Sequence, residues 1–421
     1  MHKQVVSRWA IGAVISILLG TSPALAQTFN SGSTGALGAL NPPTGTTTIT
    51  LPPDGILNYT TINIPNGATV QFQRNAANTP VIMLAQGTVT IAGIISVNGN
   101  DAIPRSGNGT GPLAGALGGP GGFQGGQAGA YSTANYEGAA GQGLSGGRAG
   151  ILSPQTNTGD GSYGAPASFV GLIPLFGGSG GGGGSQPSSV AMDGGSGGGG
   201  GGAMLLASTT QITVTSTGII QSNGGSGYRS YCDYRSAGAG SGGAIRLVAP
   251  SITNQGTIQA LGGPNGCSAV YVGGPGRIRL EAYSMPFIAA TNPVASIVTS
   301  PGPVTAASTP ALTNLPTVRI SAIGGVSSPA TPAGTYATVD VTLPPGTTSP
   351  VPVTITATNT PPGTIFSVQV IPQFAAAPTV VSTAPSTGTC ANSTATANLT
   401  LPAAQVAVLN AYSTFTLPCP P

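Results

Sequence analysis

The sequence is poor in charged residues. Asp, Glu, Lys and Arg make up 5% of its 421 residues, and the single histidine (His2), tryptophan (Trp9) and lysine (Lys3) all lie at the N-terminus. Removing Lys3 and Arg8 from the 11 basic residues leaves nine arginines against eight acids. A nearly neutral chain is poorly suited to electrostatic capture of nucleic acid, so we expect no nucleic-acid partner.

The lack of histidine also limits the chemistry that the chain can perform. Zinc sites of the His/Cys type need several such ligands, and the chain has only four cysteines. We therefore predict no metal and no other cofactor. Catalysis would depend on carboxylates, arginines, tyrosines and hydroxyls. We predict no catalytic residue, although a site assembled from Asp101, Glu137 and Asp233 remains an alternative.

The N-terminus has the pattern of a secretory signal peptide. Lys3 and Arg8 are basic, residues 9–19 are apolar, and residues 24–26 (ALA) fit the small-x-small cleavage rule. We predict cleavage after Ala26 and a protein that is secreted to the extracellular space or the outer cell surface. The apolar run is shorter than the ~20 residues needed to span a bilayer, so an uncleaved anchor is the less favoured alternative. We expect no integral membrane segment after signal removal.

Four cysteines in an exported chain predict two disulfides. They are Cys232, Cys267, Cys390 and Cys419. We favour the pairs 232–267 and 390–419, because each bridge then stays within one region of the chain.

An internal repeat is the strongest structural signal. The stretches 81–100, 203–225 and 244–263 superpose, each with three short β-type runs, and 277–284 is a partial fourth copy. Glycines at 93, 218 and 256 correspond, and each is followed two residues later by isoleucine. One repeating unit of this kind predicts coils of a right-handed parallel β-helix, a solenoid, rather than a β-sandwich.

The repeat also assigns the two faces of one strand per coil. With Leu84 aligned to the later leucines, the inward residues are expected to be Ile82/Leu84, Met204/Leu206, Ile245/Leu247 and Ile278/Leu280. The outward positions are then apolar in the earlier coils and charged in the last. There, Arg277, Arg279 and Glu281 are expected to form a solvated ion pair.

Glycine is concentrated in an insertion at about 103–202, between the first two repeats. From 177 to 202, 15 of the 26 residues are glycine. Some glycines of the insertion recur at every third position, which is the period of a polyproline II helix. We hypothesise that the insertion packs as a thin layer over the apolar outer face of the solenoid. The alternative is a flexible, disordered insertion, which the composition alone favours.

The predicted organisation is an all-β chain in five parts. These are a signal peptide (1–26), an N-terminal segment (27–45), the parallel β-helix (46–290), a Pro/Ala/Thr-rich linker (291–316) and a small immunoglobulin-like β-sandwich (317–421). Alternating runs at 317–323, 335–343, 351–358, 365–371 and 394–401, separated by turns, predict the strands of the sandwich.

The stretch GYRSYCDYRS (227–236) is the best candidate for a binding site. Its candidate ligand-binding residues are Tyr228, Arg229, Tyr231, Asp233, Tyr234 and Arg235, joined by Tyr271 from the loop after Cys267. Tyrosine and arginine dominate recognition hot spots, and a disulfide-stapled loop has little entropy to lose on binding. The alternative is a loop that only covers the edge of the coil with aromatic side chains.

The repeats, with openings such as GGAIRLVA and closings such as GTIQALGG, resemble those of glycine-rich exported bacterial proteins, the parallel β-helix surface proteins and adhesins of the pectin-lyase-like superfamily. The resemblance covers roughly residues 50–285 and implies a parallel β-helix surface or adhesin-type protein. We predict a non-enzymatic structural or adhesive protein of the cell surface or extracellular matrix that binds a surface glycan or another matrix component through the stretch 228–235. The alternative is a carbohydrate-active β-helix enzyme, a polysaccharide lyase or glycoside hydrolase. Such enzymes use clustered acids, and no matching cluster is found in the sequence.

Overall fold

A computed structural model gives the structure of much of the chain. It describes residues 29–102, 113–129, 138–143, 145–147, 151–152, 155–156, 171–173, 175–185, 194–228, 236–264, 273–302, 304, 317–330, 332, 339–372, 379–402 and 406–413. The described residues form β-strands and turns and no helix, so this part of the chain is all-β. Within these ranges no helix has the length and apolar character needed to cross a membrane.

Eighteen strands precede residue 300. They are β1 (Gly45–Thr50), β2 (Ile56–Tyr59), β3 (Ile62–Ile64), β4 (Ala68–Gln73), β5 (Val81–Ala85), β6 (Val89–Ile91), β7 (Ile94–Ser96), β8 (Ile151–Leu152), β9 (Gln155–Thr156), β10 (Ala203–Ser208), β11 (Gln211–Val214), β12 (Ile219–Gln221), β13 (Ala244–Val248), β14 (Ser251–Asn254), β15 (Thr257–Gln259), β16 (Arg277–Glu281), β17 (Ser284–Ile288) and β18 (Ser296–Val298). All except the antiparallel pair β8 and β9 belong to three parallel sheets.

The three parallel sheets are visited in rotation. Sheet I has the order β1-β4-β7-β12-β15, sheet II the order β2-β5-β10-β13-β16-β18, and sheet III the order β3-β6-β11-β14-β17. The chain passes from sheet I to sheet II to sheet III and back, so each round adds one strand to every sheet until β17, after which sheet I gains only an isolated bridge between Gln259 and Asn292. This order is solenoid-like, as the repeat predicts. It extends through β18, within the range assigned to the linker from sequence.

The register confirms most of the predicted alignment. Ile219 pairs with Ile94 and with Thr257, so the glycines that precede these residues correspond as expected. Met204 pairs with Ile245, which in turn pairs with Ile278. The later leucines of sheet II, at 206, 247 and 280, therefore stand in one column, and all three are buried in the core between the sheets.

The alignment of the first repeat was wrong by one residue. Leu206 pairs with Met83, and Leu84 pairs with Ala207. Met83 therefore points into the core, while Leu84 lies in a separate apolar cluster on the outer face of sheet II. A one-residue slip reverses every side chain of a strand. The sequence VIMLA is apolar at all five positions, so its pattern does not distinguish the two faces.

The C-terminal part is built of antiparallel strands. They are β19 (Thr317–Ile323), β20 (Val326–Ser327), β21 (Val351–Thr358), β22 (Ser367–Pro372), β23 (Thr379–Ser382), β24 (Thr387–Gly388), β25 (Ser393–Leu399) and β26 (Ala407–Tyr412). They form a sheet β20-β19-β21-β25-β24 and a sheet β23-β22-β26. Ile355 of the first sheet and Val368 of the second share one apolar cluster, together with Phe366 just before β22.

One predicted strand of this part is absent from the residues that the structure describes. Residues 339–343, the described portion of the run 335–343, form no strand. The next residues make a turn in which the Thr347 amide donates to the carbonyl of Pro344, and the adjacent prolines at 344 and 345 have no N–H for a sheet.

Candidate functional site

The glycine-rich segments pack together into one body, which we call the glycine bundle. Its described segments are 97–102, 113–129, 138–143, 145–147, 177–185, 194–202, 222–228, 236–243, 260–264 and 273–276. In each round they lie between a strand of sheet I and the next strand of sheet II: between β7 and β10, β12 and β13, and β15 and β16. Several consecutive coils thus contribute to the same bundle.

The segment 194–202 lies at the centre of the bundle. Its amides donate in rotation to three neighbours: Gly197 and Gly200 to Gly126 and Phe123, Gly198 and Gly201 to Gly238 and Ser241, and Gly199 and Gly202 to Asn100 and Val97, at 2.7–3.1 Å. Each neighbour is therefore met at every third residue. This is the geometry of a polyproline II helix, which has three residues per turn and no internal hydrogen bonds.

The carbonyls of the same segment accept from three further neighbours. Ala116 and Gly119 donate to Gly197 and Gly200, Gly181 and Gly178 to Gly198 and Gly201, and Gly225 and Tyr228 to Gly199 and Ser196, at 2.7–3.0 Å. Six extended segments therefore surround the central one. A segment that is glycine at every position except Ser196 is thus held on all sides by backbone hydrogen bonds.

Glycine is required in the bundle because the backbones touch. A Cβ added to Gly200 would fall on the carbonyl of Gly178, one on Gly197 on the carbonyl of Gly181, and one on Gly199 on the carbonyl of Leu117. None of these three glycines has a positive φ. The absence of a side chain thus permits close approach rather than an unusual backbone conformation.

The loop between β4 and β5 ties the bundle to the sheets. Arg74 donates from Nη1 to the carbonyl of Gly118 (3.0 Å), and burial lowers the pKa of its guanidinium. Asn78 donates from Nδ2 to the carbonyl of Gly122 (2.8 Å) and accepts from the amide of Gly121 through Oδ1 (3.0 Å). These two side chains were not singled out from sequence, because their partners are backbone atoms more than 40 residues away.

The hypothesis of a thin layer needs revision. The described glycine segments are ordered by hydrogen bonds, but they stack on one another beside the sheets. The apolar outer face of sheet II is covered instead by larger side chains of the insertion, since Leu172, Leu175 and Phe176 pack with Ala203 and Ala244. The insertion therefore has two parts: glycine segments that belong to the bundle, and a short apolar stretch that covers the outer face of sheet II.

At one end of the bundle lie the points from which the chain continues into three other stretches; we call these points the chain exits. Gly129 donates to Gly184 and Gly184 to Gly195, while Ala237 donates to Tyr228 and Tyr228 to Ser196, all at 2.8–3.0 Å. These residues border three stretches that lie outside the described residues: 130–137, 186–193 and 229–235. The opposite end of the central segment leads into β10 at Ala203.

Of the predicted ligand-binding residues, the structure describes Tyr228. Its backbone belongs to the row of hydrogen bonds just described, and its side chain is half-buried. Arg229, Tyr231, Asp233, Tyr234, Arg235 and Tyr271 lie outside the described residues, as do Cys232, Cys267 and Cys419. Cys390 is disulfide-bonded, and its predicted pairing with Cys419 stays a prediction.

The described aspartates near the sheets have structural partners. Asp101 accepts from both the amide and the hydroxyl of Ser226 (2.7 and 2.8 Å), which links two coils. Asp54 accepts from the amide of Ile56 (3.0 Å) in the turn before β2. In the described part of the chain, His, Cys, Asp and Glu do not gather in any group of three or more that could hold a metal ion.

The predicted ion pair of Glu281 with Arg279 forms, but it is largely buried rather than solvated. Arg246 and Glu281 are 3% and 1% exposed, and they pair through Arg246 Nε to Glu281 Oε1 (2.7 Å) and Nη2 to Oε2 (3.0 Å). Arg279 donates from Nε to the same Oε1 at 2.5 Å. The repeat alignment placed Arg246 beside Arg279 in the next coil, but it did not show that other segments of the same chain bury Arg246 and Glu281.

This cluster sets the charge state of Glu281. Burial alone would raise the pKa of the carboxyl, but the hydrogen bonds and positive charges of Arg246 and Arg279 outweigh it and lower the pKa below its usual value. The carboxylate is therefore ionised throughout the neutral range.

Comparisons with known proteins do not add to this description. No family model, no curated protein and no solved structure matches the chain. The functional argument therefore depends on the geometry of the chain itself.

Proposed function

We propose that the protein is an exported, non-enzymatic structural or adhesive component of the cell surface or extracellular matrix. In this proposal the stretch 228–235 binds a surface glycan or another matrix component. Signal cleavage after Ala26 and the pair Cys232–Cys267 are part of the same proposal, and sequencing the N-terminus and mapping the disulfide-linked peptides of the secreted protein test them.

The proposed architecture is a right-handed parallel β-helix followed by an immunoglobulin-like sandwich. The rotation of the chain through three parallel sheets supports the helix, and crossovers between parallel strands are right-handed in nearly all proteins. Two antiparallel sheets around one apolar cluster support the sandwich. The resemblance to adhesins of the pectin-lyase-like superfamily is proposed on the same basis.

The gathering of chain exits at one end of the glycine bundle carries the functional proposal. Tyr228 and Ser236, the described residues that border 229–235, lie beside the exits at Gly129, Ser185 and Gly194. A backbone held by hydrogen bonds on all sides is a rigid support. Binding residues are often carried on loops positioned by a rigid scaffold, and the sequence 229–235 supplies tyrosine and arginine there.

A glycan array tests the binding proposal. We expect the wild type to bind a subset of glycans and the double variant Tyr231→Ala/Arg235→Ala to lose that binding by about tenfold or more, as the loss of two hot-spot residues predicts. Arg319→Ala, which removes an exposed arginine of β19, is the matched control and should bind as the wild type does.

The same assay separates adhesion from catalysis. Binding without product supports the adhesive scaffold. Product formation that Asp101→Ala or Asp233→Ala abolishes would identify the carbohydrate-active enzyme instead. Equal binding by the wild type and the double variant would remove the stretch 228–235 from the proposal.

A further inference from the structure

The first coil of the parallel sheets covers the end of two sheets and leaves the third open. Leu37 donates its amide to the carbonyl of Asn58 in β2, and Leu40 accepts from the amide of Asn63 in β3, both at 2.8 Å. Residues 35–40 (GALGAL) therefore cover the end strands of sheets II and III, and we call them the cap. The chain then continues as β1, the end strand of sheet I. Among the described residues, no strand or bridge pairs with the other edge of β1.

The open edge of β1 presents unused backbone groups. The amides of Gly45 and Leu51 donate to carbonyls of the β4 segment at 2.8 and 3.3 Å, and β1 keeps an unbroken register with β4 along its length. In a parallel pair, every second residue bonds to the neighbouring strand. The N–H and C=O groups of Thr46, Thr48 and Thr50 therefore point away from β4.

This end of the molecule lacks the features that usually protect an open strand edge, which are charged side chains, prolines within the strand or a β-bulge. Residues 29–53 contain no Asp, Glu, Lys or Arg. The prolines at 42–43 and 52–53 lie outside β1 and limit it to one short strand. On the cap, Leu37 is 53% exposed, and both alanines are exposed as well. The end face is thus uncharged, partly apolar and open to strand pairing.

We propose that two copies of the protein associate end to end through this face, with β1 of one copy antiparallel to β1 of the other. The open edge is self-complementary in one register, in which Thr46 faces Thr50 of the second copy and Thr48 faces its own equivalent. Each pair exchanges two backbone hydrogen bonds, and the threonine side chains meet across the strands. The two copies are related by a two-fold axis, as in most homodimers.

A second copy fits this face better than an extended peptide from another protein. A peptide strand would satisfy the edge of β1 but would leave the cap in water. A second copy supplies a matching uncharged cap, and the contact removes both Leu37 side chains from water. The N-terminal chain does not block the approach, because Phe29 packs on the outer face of sheet II and Ser31 donates to the carbonyl of Ala85 in β5 (2.7 Å).

Analytical ultracentrifugation of the purified protein tests the dimer. Thr48→Lys places two like charges directly opposite each other, and we expect it to raise the dimer dissociation constant about tenfold or more. The matched control is Thr257→Lys, the same substitution on the same face of sheet I but in β15, at the other end of the sheet. It should leave the dissociation constant unchanged. Circular dichroism should show the wild-type fold for both variants.

Cysteine cross-linking tests the register. Residues of a hydrogen-bonded antiparallel pair have Cα atoms about 5.5 Å apart, which is within disulfide range. Thr48→Cys should therefore link two copies under mild oxidation. Thr46→Cys should not, because its equivalent lies four residues further along the strand, on the order of 13 Å away.

Several outcomes would overturn the proposal. The protein could stay monomeric at all concentrations, as it would if the edge served a peptide of another protein, or it could form assemblies larger than dimers. The two lysine variants could affect the dimer equally, which would place the interface elsewhere. Stronger cross-linking at position 46 than at 48 would contradict the antiparallel register.

Discussion

The core between the parallel sheets and the glycine bundle are two ways of packing the same kind of repeating chain. In the core, buried side chains such as Leu206, Leu247 and Leu280 fill the space between strands and are stabilised by removal from water. In the bundle, Gly197–Gly202 bury no side chains and are held by amide–carbonyl bonds to six neighbours.

This difference in packing predicts which substitutions each region tolerates without loss of stability. A core adapts to swaps that keep volume and polarity, and it loses stability when atoms are removed. The central glycines 197–202 have no side chains to repack and no side-chain atoms to remove, so a substitution there can damage the bundle only by adding atoms. The two regions should therefore respond in opposite ways to substitutions by larger and smaller residues.

The largest effect is expected from one methyl group at the centre of the bundle. Gly200→Ala would drive a Cβ into the carbonyl of Gly178, and six neighbours leave the backbone no direction in which to yield. We expect a loss of about 4 kcal/mol or more in unfolding free energy, at the upper end of overpacking costs. Denaturant unfolding of the purified protein measures it.

The matched control is Gly171→Ala in the same insertion, where an added Cβ meets open space. Its effect should stay within about 0.5 kcal/mol. Similar costs at 171 and 200 would show that the bundle is not packed as described.

The next effect is expected from removing atoms in the core. Leu247→Ala leaves a cavity among fully buried neighbours and should cost about 3 kcal/mol. Amide exchange should accelerate first in β10, β13 and β16, which share this column. If protection fell equally in residues 194–202, the two regions would unfold as one unit, and the comparison between them would lose its meaning.

Lowering the pH should destabilise the parallel sheets through Glu281 of β16. The pKa of Glu281 is lowered in the folded state, so the stability that it contributes is complete above the unfolded pKa of about 4.3 and is lost as the pH falls through the lower, folded pKa. We expect the wild type to lose more unfolding free energy than Glu281→Gln as the pH falls below about 4. Urea unfolding as a function of pH measures this difference, and parallel pH profiles for the two proteins would argue against it.

Among substitutions at packed positions, the smallest effect is expected from a swap that keeps volume. Leu206→Met in the core should cost less than about 1.5 kcal/mol, since methionine fills a similar space without adding a polar group. Measured beside Gly200→Ala, it sharpens the comparison: the larger chemical change in the core should have the smaller cost. The reverse order would contradict it.

Much of the fold could be predicted because the repeated sequence pattern shows which residues of successive coils pair with one another. Gly93, Gly218 and Gly256 fall at the same point of successive coils, and the isoleucines two residues later confirm it by pairing as predicted. Leu84 was assigned to the wrong face because every residue of β5 is apolar. Only the pairing of β5 with β10 distinguishes the core side of that strand from the outer side.

The candidate site was predicted less completely. The stretch 228–235 was chosen for its residue types, but nothing local indicated that Tyr228 stands beside Ser196 at one end of the bundle. Likewise, Glu281 was expected to be solvated because its neighbours on the strand are arginines. Gly302, whose amide donates to the Glu281 carboxylate, comes from beyond β18, and the sequence around it offers no pattern that points to Glu281.

By itself, the sequence determined that the chain is β-rich and built from repeats, because short alternating runs and regularly placed glycines act locally on the backbone. The tertiary structure alone decided that the glycines form a packed body rather than a loose chain. A glycine backbone gains order only when its amides find carbonyls, and here those carbonyls belong to segments far away in the sequence, as Gly198 and Gly238 illustrate.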